Sequence, residues 1–128
     1  MTARRIVRLS GAEAESFLQD LVTNDTSKLT AGLVYAALLT PQGKYIADFF
    51  LLRDGEDILI DVAEDLADTL IQRLTLYKLR RKIEIAPAAL YLHRGLGDVP
   101  EDGHADARHE ALGWRAYRET PQDNDTTD

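Results

Sequence analysis

Asp48 is the side chain in this sequence whose surroundings most demand a chemical explanation. The stretch "LLTPQGKYIADFF", positions 38–50, reads as two apolar strands about a tight turn, with that carboxylate deep in the second strand. In an extended strand Asp48 shares a face with Ile46, Phe50 and Leu52, while Tyr45, Ala47, Phe49 and Leu51 line the other. With Pro41-Gln42-Gly43 as the loop, Thr40 pairs with Lys44, and counting back sets Asp48 opposite Ala36, a small residue that leaves space. Losing hydration without compensation costs about 2–7 kcal/mol for a polar group and more for a charge. Two readings stay open: a structural partner, such as an arginine or backbone N–H groups, or a ligand with clustered donors, including a reaction that needs a carboxylate.

A second candidate is "YKLRRK", positions 77–82, the dense basic cluster of the chain. It either complements the dipole at a helix C-terminus or binds an anion such as a polycarboxylate tail or RNA phosphates. Four positive charges with one aromatic, in a chain of net charge −7, are too few to expect direct nucleic-acid binding. His93, His104 and His109 lack the helical or strand spacing of a metal site, and the latter two read as solvated loop residues. Ser10 and Ser16 lie in no G-x-S-x-G turn, and no glycine-rich loop precedes a helix. With no cysteine in these 128 residues, disulfides and thiolate chemistry are excluded within the chain.

The elements that must position these groups are legible from periodicity. "RRIVRL" reads as a first strand, and Ser10 and Glu13 have the spacing of a capping box. Ala14, Phe17, Leu18, Leu21 and Val22 then form a helical stripe that ends in the turn-rich "TNDTSKLTAG". "LVYAALL", "YIADFFLL" and "ILIDV" form an antiparallel meander, followed by a helix marked by Leu66, Leu70, Leu74 and Tyr77. "KIEIA", "ALYLH" and "GWRAYRE" read as further strands, the last with Trp114 as a packing anchor. This order indicates one α+β domain with two principal helices on a mainly antiparallel sheet. Residues 1–97 carry 12 basic and 13 acidic side chains and residues 98–128 carry 3 and 9, so the acidity is terminal. We expect a domain over 1–117 and an acidic, flexible tail over 118–128. No run is apolar enough for a membrane, and "MTARRIVRLSG" lacks the apolar core of a signal peptide, so the expectation is cytoplasmic.

Three segments together carry a family resemblance: "FLQDLVTNDTSKLTAGLVYAALLTPQGKYIADFFLLRDG" (17–55), "LYKLRRKIEI" (76–85) and "DARHEALGWRAY" (106–117). In order and spacing they resemble the YgfZ-type folate-binding proteins, of the same superfamily as the glycine-cleavage aminomethyltransferase, the T-protein. The resemblance runs from about Ile6 to Tyr117 but over roughly the first half of a family member, and the later K-G-C-Y-x-G-Q-E signature has no counterpart here. Asp20 stands where relatives commonly have glycine.

The resemblance implies the N-terminal part of an aminomethyltransferase-type folate-binding domain, with tetrahydrofolate as cofactor. It places Asp48, which ends the G-x-x-x-x-D of the hairpin, against the folate, with Asn24 and Tyr35 at family positions nearby, although the register above puts Tyr35 on the opposite face. Lys78, Arg80 and Arg81 are our electrostatic candidates for the glutamate tail of a reduced folate. Two functions are implied. One is an accessory protein that binds tetrahydrofolate and supports maturation of iron–sulfur proteins or tRNA-modifying enzymes. The other is a folate-dependent aminomethyltransferase in which Asp48 is catalytic.

Overall fold

The structure is a computed structural model and describes residues 3–108 and 110–122. Strand β1 (Arg4–Ser10) leads into helix α1 (Ala14–Leu21) and a 3-10 turn (Thr26–Thr30), then β2 (Val34–Leu39), β3 (Tyr45–Asp54) and β4 (Asp57–Ala63). Helix α2 (Glu64–Lys78) follows, then β5 (Glu84–Pro87), β6 (Tyr91–Gly95), β7 (His104–Ala105), a second 3-10 turn (Glu110–Leu112) and β8 (Trp114–Arg118). The strands form a five-stranded sheet in the order β2-β3-β4-β1-β5 and a three-stranded sheet in the order β6-β8-β7, and every named pairing is antiparallel. This is the α+β architecture expected from the sequence.

Strand alternation divides the large sheet into two chemically different faces. One presents Val7, Leu9, Val34, Ala36, Leu38, Ala47, Phe49, Leu51, Ile58, Ile60 and Val62, and the two helices close over it with Phe17, Leu18, Ala67, Leu70 and Leu74. The other presents Arg4, Tyr35, Asp48, Phe50 and Asp61, and the small sheet packs there through β8. The hydrophobic core is thus on the helix side, and the polar side chains are gathered between the two sheets.

The capping box does not form. Glu13 is the helix-capping position without a side-chain bond to the helix, and its carboxylate instead accepts Lys82 N–H at 3.0 Å, which ties the start of α1 to the chain leaving α2. The β2–β3 hairpin starts as expected, with Thr40 N–H donating to the Lys44 carbonyl at 2.7 Å. Beyond it Leu39 pairs with Tyr45 but Leu38 pairs with Ala47, so Ile46 is passed over in a bulge. Asp48 consequently lies opposite Ala37, not Ala36, and Tyr35 is on its face, not the opposite one. The extra residue turns Ile46 into the helix-side core.

Segment 22–24 lies along the outer edge of β2. Val22 bridges Leu38, Thr23 N–H donates to the Ala37 carbonyl at 3.0 Å, and Asn24 Nδ2 donates to the Tyr35 carbonyl at 2.9 Å. An edge that would otherwise offer free backbone groups is covered. Of the segment expected as a tail, Thr120 and Gln122 lie along β6, with the Gln122 amide exchanging two hydrogen bonds with the Arg94 backbone. Positions 123–128 lie outside the described residues. Among the described residues, no helix is long and apolar enough to cross a membrane.

Candidate functional site

Two phenols hold Asp48: Tyr35 donates to Oδ2 and Tyr45 to Oδ1. Tyr45 is three residues before Asp48, a spacing that puts two side chains on opposite faces of a regular strand; the bulge at Ile46 brings them to the same face. Tyr35 reaches across from β2, whose backbone Asn24 anchors at that residue. Burial pushes the Asp48 carboxyl upward, but the two phenolic donors outweigh it and leave the group below the ordinary carboxylate value. The same bond pushes Tyr35 up to about 12, because its phenolate would face a carboxylate. Asp48 is therefore an ionised acceptor at neutral pH, and Tyr35 and Tyr45 are protonated donors. A carboxylate has about four acceptor positions; the two phenols and its own backbone N–H leave at least one for a ligand.

Beside this group is an ion network not anticipated from the sequence. Asp61, 2% exposed, accepts from Arg4 Nε at 2.7 Å, Arg115 Nη2 at 2.6 Å and Tyr117 Oη at 2.7 Å. Arg115 and Tyr117 alternate along β8, so both point at the large sheet. The Arg115 guanidinium lies 4.1 Å from the Phe50 ring centroid, and Arg108 lies 5.0 Å from Phe50 and 5.8 Å from Tyr35. Asp106, also buried, holds Arg108 at 2.9 Å and faces Arg115 at 3.8 Å. Phe50 pairs directly with Asp61 on β4 and with Tyr35 on β2, so one row across the sheet joins the two groups. Asp61 could have been found by the reasoning applied to Asp48, since "ILIDV" also sets one acid in an apolar strand.

Of the residues expected at the site, Asp48 and Tyr35 meet, and Asn24 supports Tyr35 through its backbone. Arg81 is elsewhere: it pairs with Asp20 of α1 at 3.0 Å and covers the Phe17 ring at 5.7 Å, in the helix layer. Lys78 and the exposed Arg80 adjoin it at the end of α2, while the alternation of β3 points Asp48 to the far side of the sheet. Asp20, at a position where glycine is common in the family resemblance, thus has a local partner. His93 is buried on the outer face of the small sheet, between the Thr120 carbonyl at 2.6 Å and Arg118 at 3.2 Å. His109 lies outside the described residues. Among the described residues, no group of three His, Cys, Asp or Glu side chains is placed to hold a metal ion.

The depressed carboxylates predict an acid limit to stability. For Asp48 and Asp106 burial raises the carboxyl and the hydrogen bonds, from the two phenols and from Arg108 respectively, lower it further, leaving both below their unfolded value. Their contribution is complete above the unfolded carboxylate value of about 3.9 and is lost as pH falls through the lower folded values. Urea midpoints should hold near neutral pH and fall below about pH 4, with a shallower fall in Asp106→Asn. An unchanged slope in that variant would remove Asp106 from the account.

No family model matches the chain. It is 32% identical over 114 residues to the iron–sulfur cluster assembly factor IBA57 homolog of Neurospora crassa, covering 80% of this chain and 26% of that protein. It is 42% identical over 52 residues to an aminomethyltransferase of Bacillus subtilis, covering 40% of this chain and 14% of that protein. Among solved structures, the glycine cleavage system aminomethyltransferase T of Bartonella henselae superposes with a TM-score of 0.61 at 17% identity, over 66% of this chain and 24% of that one. The chain spans about a quarter of the length of the Neurospora relative, less than the half expected from the motifs. The expectation of a cytoplasmic location is also corrected, because the iron–sulfur cluster assembly factor relatives are named as mitochondrial proteins. A leader-free reading of the first residues was the basis of that expectation, and it is not informative for a chain that matches so small a part of its relatives.

Proposed function

We propose, for a chain that is homologous to the N-terminal part of the YgfZ-type, IBA57-related branch of the aminomethyltransferase superfamily, that its Asp48 face contributes to a tetrahydrofolate site in an accessory protein of iron–sulfur cluster assembly. The observation that carries this reading is the pair of phenols on Asp48: they keep the carboxylate charged and aimed while leaving an acceptor position open. A reduced pterin presents N–H donors along the edge of its planar pyrimidine ring, which suits an ionised carboxylate flanked by aromatic side chains. The exposed Tyr45 and the Tyr35 ring supply such flanks. Reduced folate is therefore the small-molecule partner proposed, and the iron–sulfur assembly machinery the macromolecular one. Support of tRNA-modifying enzymes belongs to the same reading.

Aminomethyl transfer is the second reading, favoured by the local identity to the Bacillus subtilis aminomethyltransferase. There Asp48 would orient the cofactor or accept a proton beside its reactive nitrogens. Its lowered pKa makes it a weak base for accepting that proton, so the binding role is preferred.

Isothermal calorimetry with 5-formyltetrahydrofolate tests the proposal. Asp48→Asn should weaken binding about 10- to 100-fold, the worth of a hydrogen bond to a charged acceptor. The ligand-free variant should lose roughly 1 kcal/mol of stability as the phenols exchange a charged acceptor for a neutral one. No heat with any reduced folate would sink the folate reading, whereas unchanged affinity in the variant would remove Asp48 from it.

A further inference from the structure

Four guanidinium groups converge between the two sheets, and three have acidic partners. Arg4 and Arg115 pair with Asp61, and Arg108 with Asp106. The fourth, Arg94 of β6, is tied down only through its backbone, by Gln122. No acid stands within ion-pair distance of its guanidinium among the described residues. Yet Arg94 pairs directly across the strands with Arg115, which places the two side chains on the same face of the small sheet, toward the large one. Like charges directly opposite each other on one face destabilise a sheet. Arg115 is neutralised by Asp61 and Arg94 is not.

The surroundings sharpen the imbalance. Partial desolvation, and then repulsion from Arg115 and Arg4, hold Arg94 below the ordinary arginine value; Asp61 pulls the other way without cancelling them, and Arg108 adds to the repulsion. Arg108 in turn lies against the Tyr35 ring and feels Asp48, so the positive field is continuous with the carboxylate group described above. Arg94 itself is exposed, so a ligand can reach it. An exposed cation without an acid at ion-pair distance, among other cations, is placed to receive an anion from outside the chain.

We propose that Arg94 is the anion-receiving residue of this face, engaging a carboxylate of the ligand whose ring edge meets Asp48. The identity of that ligand rests on the reduced-folate reading; the anion site does not. It replaces Arg80 and Arg81, which the fold holds in the helix layer, as the partner of a glutamate-like tail.

The test uses the full chain and Arg94→Gln, with glutarate dianion as a probe of the anion site and 5-formyltetrahydrofolate as a probe of the folate reading. Millimolar glutarate should raise the melting temperature of the wild type by a few degrees and that of Arg94→Gln by less than half as much. Equal shifts in the two proteins, or none in the wild type, would overturn the inference. The variant should bind 5-formyltetrahydrofolate about tenfold more weakly, while its affinity for 6-methyltetrahydropterin, which has no carboxylate, stays unchanged. Equal 5-formyltetrahydrofolate affinity in both proteins overturns the role of Arg94 and leaves the folate reading standing. A glutarate effect confined to the wild type, with no folate binding at all, supports the anion site and removes the folate.

Discussion

Asp61→Ala should destabilise this domain by about 3–5 kcal/mol, the cost of breaking a buried ion pair from one side. The carboxylate accepts from Arg4, Arg115 and Tyr117, and it and the Arg115 side chain are only 2% and 3% exposed. Removing the acid leaves the Arg115 charge inside, next to Phe50, with only Asp106 at 3.8 Å to answer it. The lost free energy is a large share of the roughly 5–15 kcal/mol available to a domain of this kind. Because Arg115 and Tyr117 are on β8, the network also fastens the small sheet to the large one. Urea denaturation followed by far-UV circular dichroism measures the cost, and the near-UV signal of Trp114 and Tyr117 reports whether the small sheet separates first.

The companion variant separates charge from shape. Replacing Asp61 and Arg115 together, Asp61→Leu with Arg115→Met, removes both ions and should recover much of the loss, as apolar substitutes for buried ion groups commonly do. Arg4 then loses its carboxylate partner but keeps its bond to the backbone carbonyl of position 61, and at 21% exposure its side chain can also turn to water. A cost of less than about 1 kcal/mol for Asp61→Ala, the size of an exposed pair, would show that water reaches the network and that it does not hold the sheets together.

This network also marks where sequence reading stopped. The meander, both helices and the hairpin turn were legible because each is written in local periodicity and turn residues. Asp48 was legible for a different reason, as a charge in an apolar run. Its neighbours were not: the bulge at Ile46 is set by how Ile46 fits the helix-side core, and one passed-over residue decides whether Tyr35 faces Asp48. Arg115 and Tyr117 fit the alternation of "GWRAYRE" as well on a solvent face as on a buried one. What buries them is the docking of β8 on the large sheet, far along the chain from Asp61. The position of the basic cluster at 77–82 relative to Asp48 was not legible from composition: strand alternation places that carboxylate on the other side of the sheet.

The second large effect is expected at Gly11, where backbone meets backbone. Gly11 sits at φ +118°, and a Cβ added there would run into the Lys82 carbonyl oxygen and come within 3.1 Å of Ile83 Cα. The crossing is fixed on both sides, by the Glu13 carboxylate on Lys82 N–H and by Ile83, 3% exposed, seated in the helix-side core. Gly11→Ala must therefore move the chain between α2 and β5, besides adopting a φ that L-residues avoid at a cost of about 1–2 kcal/mol. Gly43 supplies the control. It has φ +87° in the hairpin turn, and an added methyl group would meet nothing within 4 Å, so Gly43→Ala incurs the backbone term alone. Gly11→Ala should exceed that control by about 1–2 kcal/mol or more, the lower range of overpacking in a close-packed interior. If the two variants lose the same stability, the crossing yields at no cost and the Glu13–Lys82 contact does not anchor it; if Gly11→Ala loses more, adding Glu13→Gln should narrow the difference, because the weaker acceptor frees Lys82 to shift.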